Sequence, residues 1–443
     1  MDHEQQQDYV LRTIEERRVR LVRLWFTDVL GQLKSVAISP VELESAFEEG
    51  VQFDGSAIDG FSRVQESDVL AFPDPNSFQL MPGSDDDELT ARVFCDITHL
   101  DRTPFEGDPR QVLRRNLAAA ADAGFGFMCA PEVEFFYLAS DDAGGAPVPL
   151  DDASYFDLTT FDENSNIRRR TIQRLEATGI PVEYSFHEDA PSQHEIDLRY
   201  ADGLTMADSV MALRMIVREV AMASGVHATF MPKPMEGVQG SGMHTHLSLW
   251  STDANAFFDG ADPDGLSPVA RGFIAGLLHH AGEITAVTNQ LVNSYKRLVA
   301  GFEAPVQVSW ARNNRSALVR VPVPKKGKED QGTRIEYRAL DPACNPYLAF
   351  SVILAAGLRG IREGYDLEAE ATANLFEGDS GPRGRQLPQN LAAALDEMER
   401  SDLVRESLGE HIFEWFLRNK RAEWDAYRSH VSSFELQRYL RAW

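Results

Sequence analysis

The chain has 443 residues, with 43 Lys and Arg against 69 Asp and Glu, for a formal charge of -26. A surface this acidic excludes nucleic acid and anionic membrane surfaces as partners. Hydrophobic residues make up 43% of it, enough at this length for a large core and two or three domains.

Met1 and the charged residues after it contain no apolar signal core, and residues 8–17 read as a helix. Residues 21–26 alternate as a strand, 32–38 read as its hairpin partner, and Asp28-Val29-Leu30-Gly31 supplies the turn. A short helix is expected over 40–49, a Gly-rich ordered loop over 51–61, and a strand over 91–97. Around 101–109 the composition turns to Pro, Gly and acid, which places a domain boundary there. Residues 1–103 then form a small N-terminal domain and 104–443 a larger one. Cys95, Cys129 and Cys344 are far apart and form no CxxC pair, which fits a reducing, cytoplasmic setting.

The larger domain opens on a helix over 109–123 with Pro109 at its start. Ala130-Pro131-Glu132-Val133-Glu134-Phe135-Phe136 then reads as a strand. Residues two apart share a face, so Glu132 and Glu134 project side by side, with Phe135 and Tyr137 opposite. Carboxylates this close repel unless a cation or a proton offsets the charge. A solvated acidic face is the alternative for this stretch alone. After a polar loop over 141–152 come a helix over 167–178, a strand over 182–187, and a strand face shared by Glu195, Asp197 and Arg199. A long helix over 206–224 and a strand over 227–233 follow. The stretch from Gly240 runs from a Gly-rich loop into a strand on which His244, His246 and Ser248 point one way. Two helices lead to an Arg-rich section over 295–338, and the C-terminal part reads as helices with an acidic loop. The longest apolar run, 348–358, is too short to span a bilayer. The pattern is α+β: a small mixed domain, then a larger one whose strands carry charge on a regular face, as an open barrel or cleft would.

Glu132, Glu134, Glu188, Glu195 and Glu336, joined by His244, form the acidic set. Zinc favours Cys and His, whereas a set dominated by carboxylates suits Mg²⁺ or Mn²⁺, two ions of which commonly neutralise nucleotide phosphates. Arg297, Arg315, Arg320, Arg334 and Arg338, with Arg312 nearby, form the basic set. Partly buried arginines need anions, which phosphate, a substrate carboxylate or the chain's own acids would supply. Neither a Walker A sequence nor a GxGxxG loop is present. The chemistry reaches a two-metal phosphoryl-transfer enzyme acting on a carboxylated substrate.

At these same residues the chain resembles glutamine synthetase, type I. Asp54-Gly55-Ser56, 131–135, His187-Glu188, 240–244, Asn293-Ser294-Tyr295-Lys296-Arg297, Glu303-Ala304-Pro305, Asn314-Arg315-Ser316, Asp341-Pro342-Ala343 and Asn345-Pro346-Tyr347-Leu348 fall in family order. The resemblance implies a β-grasp-like N-terminal domain and a catalytic domain with a curved antiparallel sheet, an open barrel surrounded by helices. It implies a dodecamer of two hexameric rings with active sites between neighbours. ATP would phosphorylate the γ-carboxylate of glutamate, and ammonia would displace the phosphate to give glutamine.

By motif match, one metal would sit on Glu134, Glu188 and Glu195, and another on Glu132, His244 and Glu336. Arg315 and Arg320 would clamp the moving phosphoryl group. Arg297 and Arg338 would contact the glutamate carboxylates beside Gln239 and Gly240. Glu183, His246, Leu247, Ser248 and Arg334 fall where the family binds ATP. Asp54, from a neighbouring subunit, would help draw a proton from ammonium in a pocket completed by Tyr155, Glu188 and Glu303, with Glu303 also closing the site. Ala57, Gln239, Ala300 and Phe302 depart from the common pattern, which leaves a γ-glutamyl-amine ligase acting on a polyamine or ethanolamine as the alternative. A catalytically silent ring is a third reading. Arg63 resembles an arginine linked to feedback inhibition, and 374–385 lacks a tyrosine for adenylylation.

Overall fold

The computed structural model describes residues 3–59, 68–81, 89–142, 145–158, 163–312, 314–372 and 384–442. Arg63 and nearly all of 374–385 lie outside them. The N-terminal sheet has strands β1 (Leu21–Thr27), β2 (Leu33–Ile38), β3 (Val51–Asp54), β4 (Asp68–Pro73), β5 (Gln79–Met81) and β6 (Thr90–Thr98), in the order β2-β1-β6-β4-β3 with β5 beside β6. β1 runs parallel to β6, and the other pairs are antiparallel. Val22, Leu24 and Phe26 alternate onto one face and pack with Val10 and Ile14 of α1 (His3–Glu16) and Leu43 and Phe47 of α2 (Leu43–Glu49). Trp25 and Phe94 point the other way, into the core of the larger domain. The sheet is therefore buried on both faces.

Of the expected loop over 51–61, the described part, 51–59, is instead strand β3 followed by one helical turn, α3 (Ser56–Asp59), and 60–61 lie outside the described residues. Val51 and Phe53 are half-buried while Gln52 and Asp54 are exposed, a period of two that β4 completes by pairing. β4 and β5 were not anticipated from sequence. They are short, β4 ends on Pro73 and Pro75 opens the turn that follows, and these prolines read as turn signals.

The larger domain adds α4 (Pro109–Asp122), α5 (Glu163–Ala177) and α6 (Gly203–Ala223), then strands β7 (Gly126–Leu138), β8 (Val182–His187), β9 (Gln193–Leu198), β10 (Ala201–Asp202), β11 (His227–Thr229), β12 (Thr245–Ser251), β13 (Ala254–Asn255), β14 (Trp310–Ala311), β15 (Val319–Arg320) and β16 (Ile335–Tyr337). They form one curled sheet in the order β14-β15-β16-β12-β7-β9-β8. β10 and β11 also pair with β7, and β13 with β12. Only β14 and β15 run parallel among these pairs. β7 is the spine: its first half pairs β12 and its second half β9. β11 stops at Thr229, short of the expected 233, and Pro232 has no N–H to continue a ladder. Arg199 falls just past the end of β9 and is exposed.

Val133, Phe135 and Tyr137 of β7 point into a core shared with α6 and the helices α7 (Pro268–His279), α8 (Ala281–Thr288), α9 (Ser294–Arg297) and α11 (Pro346–Glu363), whereas the single turn α10 (Glu329–Gly332) buries no residue. α7 and α11 cross so closely that a Cβ on Gly276 would lie 2.1 Å from the Ala356 carbonyl oxygen. Only glycine permits that approach. Four helices, α12 (Leu391–Glu399), α13 (Asp402–Leu408), α14 (Glu410–Ser429) and α15 (Ser433–Tyr439), end the chain. No helix among the described residues is long and apolar enough to cross a membrane.

Arg110 of α4 ties the two halves together. Its guanidinium is buried and bonds Asp74 at 2.8 Å and Asp96 on the N-terminal side, and Asp208 of α6 at 2.9 and 3.1 Å on the other. Burial alone would lower its pKa, but Asp208, Asp96 and Asp74 outweigh that and raise it. Removing one member leaves buried carboxylates without a counter-charge. Arg110→Met is expected to cost about 3–5 kcal/mol, read as a lower denaturant midpoint. Lys at the same position should restore little, because an ammonium cannot present the planar fork that reaches three carboxylates. An unchanged midpoint in Arg110→Met would show that the node does not hold the two halves together.

Candidate active site

Strand register decides where the acids meet. In the β7–β9 ladder Glu134 lies opposite Glu195 and Glu132 opposite Asp197. Directly opposed residues share a face with Cβ atoms about 5 Å apart, so two rungs of like charge face one cleft. Glu188 follows β8 and reaches the same place. The chain returns on the other flank through β12, where His246 lies opposite Glu336 of β16, which in turn lies opposite Arg320 of β15. The backbone locks the turn before β12: Glu132 N–H donates to the His244 carbonyl at 2.8 Å and Glu134 N–H to the Gly242 carbonyl at 3.1 Å.

The cleft has two connected pockets. The first, about 430 Å³, is lined by Glu132, Glu134, Glu188, Glu195 and His244 on one side and by Arg297, Arg315, Arg320 and Arg338 on the other. Tyr155, Gln239, Gly240 and Glu303 also line it. The second, about 370 Å³, holds Glu183, His246, Leu247, Ser248 and Arg334. Glu132, Tyr184 and Asp197 line both. Leu247 presents its backbone there, since its side chain lies in the core. Glu336 is fully buried behind the first pocket, 3.0 Å from Arg320 and bonded to Arg338. Asp54 does not line the cleft of its own chain. It is exposed on β3, accepting hydrogen bonds from the Ser56 N–H and hydroxyl, both at 2.9 Å.

The charges fall into two groups. His244 Nδ1 faces Glu132 at 3.4 Å, Glu336 at 3.8 Å and Glu134 at 3.9 Å. His246 Nε2 lies 2.7 Å from Glu132, and Arg334 donates to His246 Nδ1 at 3.2 Å, which leaves the proton of a neutral ring on Nε2. Burial would raise Glu132, but the two histidines hold it well below the carboxylate range. In the other group burial and like charge prevail, with His246 only a lesser influence on Asp197. Burial, reinforced by Glu134, pushes Glu188 up to about 8. Burial and then Glu132 push Asp197 to about 7, and burial with Glu134 and Glu132 raises Glu195 further. An Asp197 Oδ1 atom is buried with no hydrogen-bond partner.

The residues of this cleft fit a bound cation. Glu132, His244 and Glu336 offer ligand atoms within 4.8 Å of one another, as do Glu132, Glu195 and Asp197. A donor set of carboxylate oxygens with one imidazole suits a hard divalent ion.

On the arginine wall, Arg297 gives its donors to the carbonyls of Ala339 at 2.7 Å, Leu340 at 3.1 Å and Arg338 at 3.2 Å, and to His244 Nε2 at 3.4 Å. A Cβ on Gly240 would lie 2.3 Å from the Pro232 carbonyl oxygen, so that position presents bare backbone to the pocket. Arg315 and Tyr155 hydrogen-bond across the mouth. Glu303 has φ 55°, a left-handed conformation that costs a non-glycine residue about 1 kcal/mol. Burial and then Asp189 raise its pKa.

Two residues were passed over from sequence. Asp197 shares the acidic strand face, but its residue type and position alone assign it no role. Gln193, 1% exposed, donates to Glu134 at 3.0 Å and to the Gly240 carbonyl at 3.1 Å. The signal was present as Gln193, Glu195 and Asp197 at steps of two, all on one strand face.

Comparison with known proteins adds the chain's kinship. Residues 18–100 match the sequence family described as glutamine synthetase, beta-Grasp domain, and residues 106–439 that of glutamine synthetase, catalytic domain. The chain is 56% identical to a glutamine synthetase of Mycolicibacterium smegmatis over 99% of both chains. It is 46% identical to one of Thermotoga maritima over 97% of this chain and 98% of that one. Among solved structures, a GmaS/ADP complex superposes with a TM-score of 0.88 at 31% identity, covering 98% of this chain and 99% of that one. With both domains matched in order and full-length identity above half, the chain belongs to the glutamine synthetase family, whose members are ligases that form glutamine at the expense of ATP.

Proposed function

We propose that the two pockets divide the two halves of this reaction. ATP lies in the second pocket, against His246, Leu247, Ser248 and Glu183, with Arg334 at its phosphates. Its γ-phosphate points across β7 toward Arg315 and Arg320. Glutamate lies in the first pocket, one carboxylate against the Gly240 backbone, Gln239 and Arg338, with Arg297 bracing that wall from behind. Its γ-carboxylate then meets the terminal phosphate between acids and arginines. What supports this reading is the pair of rungs, Glu132 with Asp197 and Glu134 with Glu195, set opposite a row of guanidinium groups.

Two Mg²⁺ or Mn²⁺ ions are proposed, one held by Glu134, Glu188 and Glu195, the other by Glu132, His244 and Glu336. When bound, such ions neutralise phosphate and carboxylate charge. The protein's own part is positioning and charge. Arg315 and Arg320 neutralise the phosphoryl group in flight. Glu303, on its strained loop, closes over the acyl phosphate and excludes water. Asp54 of a neighbouring copy, with Tyr155 and Glu188, takes a proton from ammonium so that neutral ammonia attacks. An assembly that brings Asp54 to a neighbour's cleft, a dodecamer of two hexameric rings, and a cytoplasmic location belong to the same reading. So do the domain limits 1–103 and 104–443.

The direct test is ATP- and glutamate-dependent phosphate release with ammonium, compared with putrescine, spermine and ethanolamine, with products identified by mass. Glutamine from ammonium is expected. Turnover only with a larger amine would transfer the reading to a γ-glutamyl-amine ligase and make Ala57 and Gln239 its basis. Glu134→Ala should lower turnover by about 10³-fold or more and weaken Mn²⁺ binding measured by electron paramagnetic resonance. Normal Mn²⁺ affinity in that variant would remove Glu134 from the ligand set.

Asp54→Ala should lower kcat for glutamine formation by about 10²-fold while the Kd for glutamate stays put, and equal loss of both would contradict its role. Gln193→Leu keeps every ligand but removes the bond to the Gly240 carbonyl and one of the two on Glu134 Oε2, leaving that from the Gly242 N–H at 2.9 Å. It should weaken Mn²⁺ by about tenfold and raise KM for glutamate, whereas a change in stability alone would make Gln193 merely structural.

A further inference from the structure

A cavity of about 760 Å³, larger than either pocket of the cleft, lies between the β1–β2 hairpin and the larger domain. One face of α6 forms a wall, with Met211, Arg214, Met215, Arg218 and Met222 recurring at steps of three and four. Phe230 and Leu291 also line it, and Leu33 and Lys34 of the hairpin stand in it as well.

Its charge runs against that of the chain. The lining carries five cations, Arg23, Lys34, Arg214, Arg218 and Lys420, against two anions, Glu219 and Glu423, in a protein whose formal charge is -26. Lys34 is matched by Asp28 at 3.3 Å and Lys420 by Glu423 at 2.8 Å. Arg214 and Arg218 pair with no carboxylate among the described residues. Arg214 is 7% exposed. One terminal nitrogen donates to the Cys344 carbonyl at 2.7 Å, the other meets only the Met211 sulfur at 3.7 Å, and its Nε is buried without a partner. Arg218, one turn on, lies 5.6 Å from the centre of the Phe230 ring. Burial lowers the pKa of both guanidinium groups.

A guanidinium buried as Arg214 is, with its Nε unpartnered and no carboxylate at ion-pair distance among the described residues, is destabilising unless something else brings the charge. Arg110 shows the contrast, since three carboxylates surround its buried guanidinium. A fork of guanidinium donors matches a carboxylate or a phosphate. Beside it, thioether side chains make a soft, adaptable apolar wall. The volume falls in the range of small-molecule sites.

We propose that this cavity binds a small organic anion, with its carboxylate or phosphate head on Arg214 and Arg218 and a short apolar body against Met211, Met215 and Phe230. The site is separate from the cleft and independent of the roles proposed there. It stands close to the glutamate wall in sequence, however. Met231 leads to Pro232, whose carbonyl accepts the Ser241 N–H at 2.8 Å and abuts Gly240.

Calorimetric titration of the assembled protein, with ADP and glutamate present to fill the cleft, tests the proposal. The probes are hexanoate, hexyl phosphate and uncharged hexanol. One anion per subunit should bind, hexanol should not, and the tighter of the two anions identifies the head group. Arg218→Gln, at an exposed position on the rim of the cavity, should weaken binding about tenfold without altering the melting temperature by more than a few degrees. Arg214→Met should do the same, and its thermal unfolding checks that the fold survives. Absence of heat from both anions overturns the proposal. So does binding that is unchanged in Arg218→Gln, or hexanol binding as tightly as hexanoate.

Discussion

Four carboxylates that repel one another are held face to face across one pair of strands, and the rest of the larger domain is arranged to keep them there. Opposed like charges destabilise a ladder, so β7 and β9 need compensation from elsewhere. Part of it is apolar. The reverse face of β7 buries Val133, Phe135 and Tyr137 in the main core, at about 1.5–3 kcal/mol for each large side chain. Part of it is electrostatic. His244 and His246 approach from β12 and its preceding turn, and the arginines approach from the far wall. On the Glu188, Glu195 and Asp197 side, these groups hold their protons unusually tightly in the protein alone. That imbalance is what a divalent cation would relieve.

The same logic of opposing charges, solved differently, joins the N-terminal sheet to the larger domain. Around Arg110 the carboxylates come from both sides and the single cation is central. In the cleft the carboxylates are central and the cations stand around them. In the cavity beside α6, Arg214 and Arg218 pair with no carboxylate among the described residues. Three arrangements of the same few side-chain types therefore give a structural joint, a reaction centre and an anion pocket. What separates them is how much of the counter-charge the chain itself supplies.

Much of this was legible in the sequence because it depends on local period. The alternation around Glu132 and Glu134, the hairpin at 21–38 and the long apolar helices can be read directly, and nine ordered motifs carried the family resemblance. The pairings that the chemistry needs were not legible. Nothing local states that Glu195 faces Glu134 rather than Glu132, since register between strands sixty residues apart is set by the whole sheet. Short elements were lost for the opposite reason. β3, β4 and β5 hold their shape by pairing in the N-terminal sheet, while their Gly and Pro neighbours read as turns. Gln193 escaped because its importance lies in what it touches, and its residue type advertises nothing.

The joint at Arg110 also has a bearing on how the chain is made. Asp74 and Asp96 belong to a sheet that leaves the ribosome first, and Arg110 follows soon after on α4. Asp208 lies 98 residues beyond Arg110. At bacterial-scale synthesis rates that interval is about 5–20 s. During it the N-terminal sheet has its arginine but not the wall against which that arginine is finally packed. Trp25 and Phe94, which point into the larger core, wait exposed for the same interval. The nascent N-terminal domain is thus a half-finished surface, and its completion is timed by translation of the chain that follows.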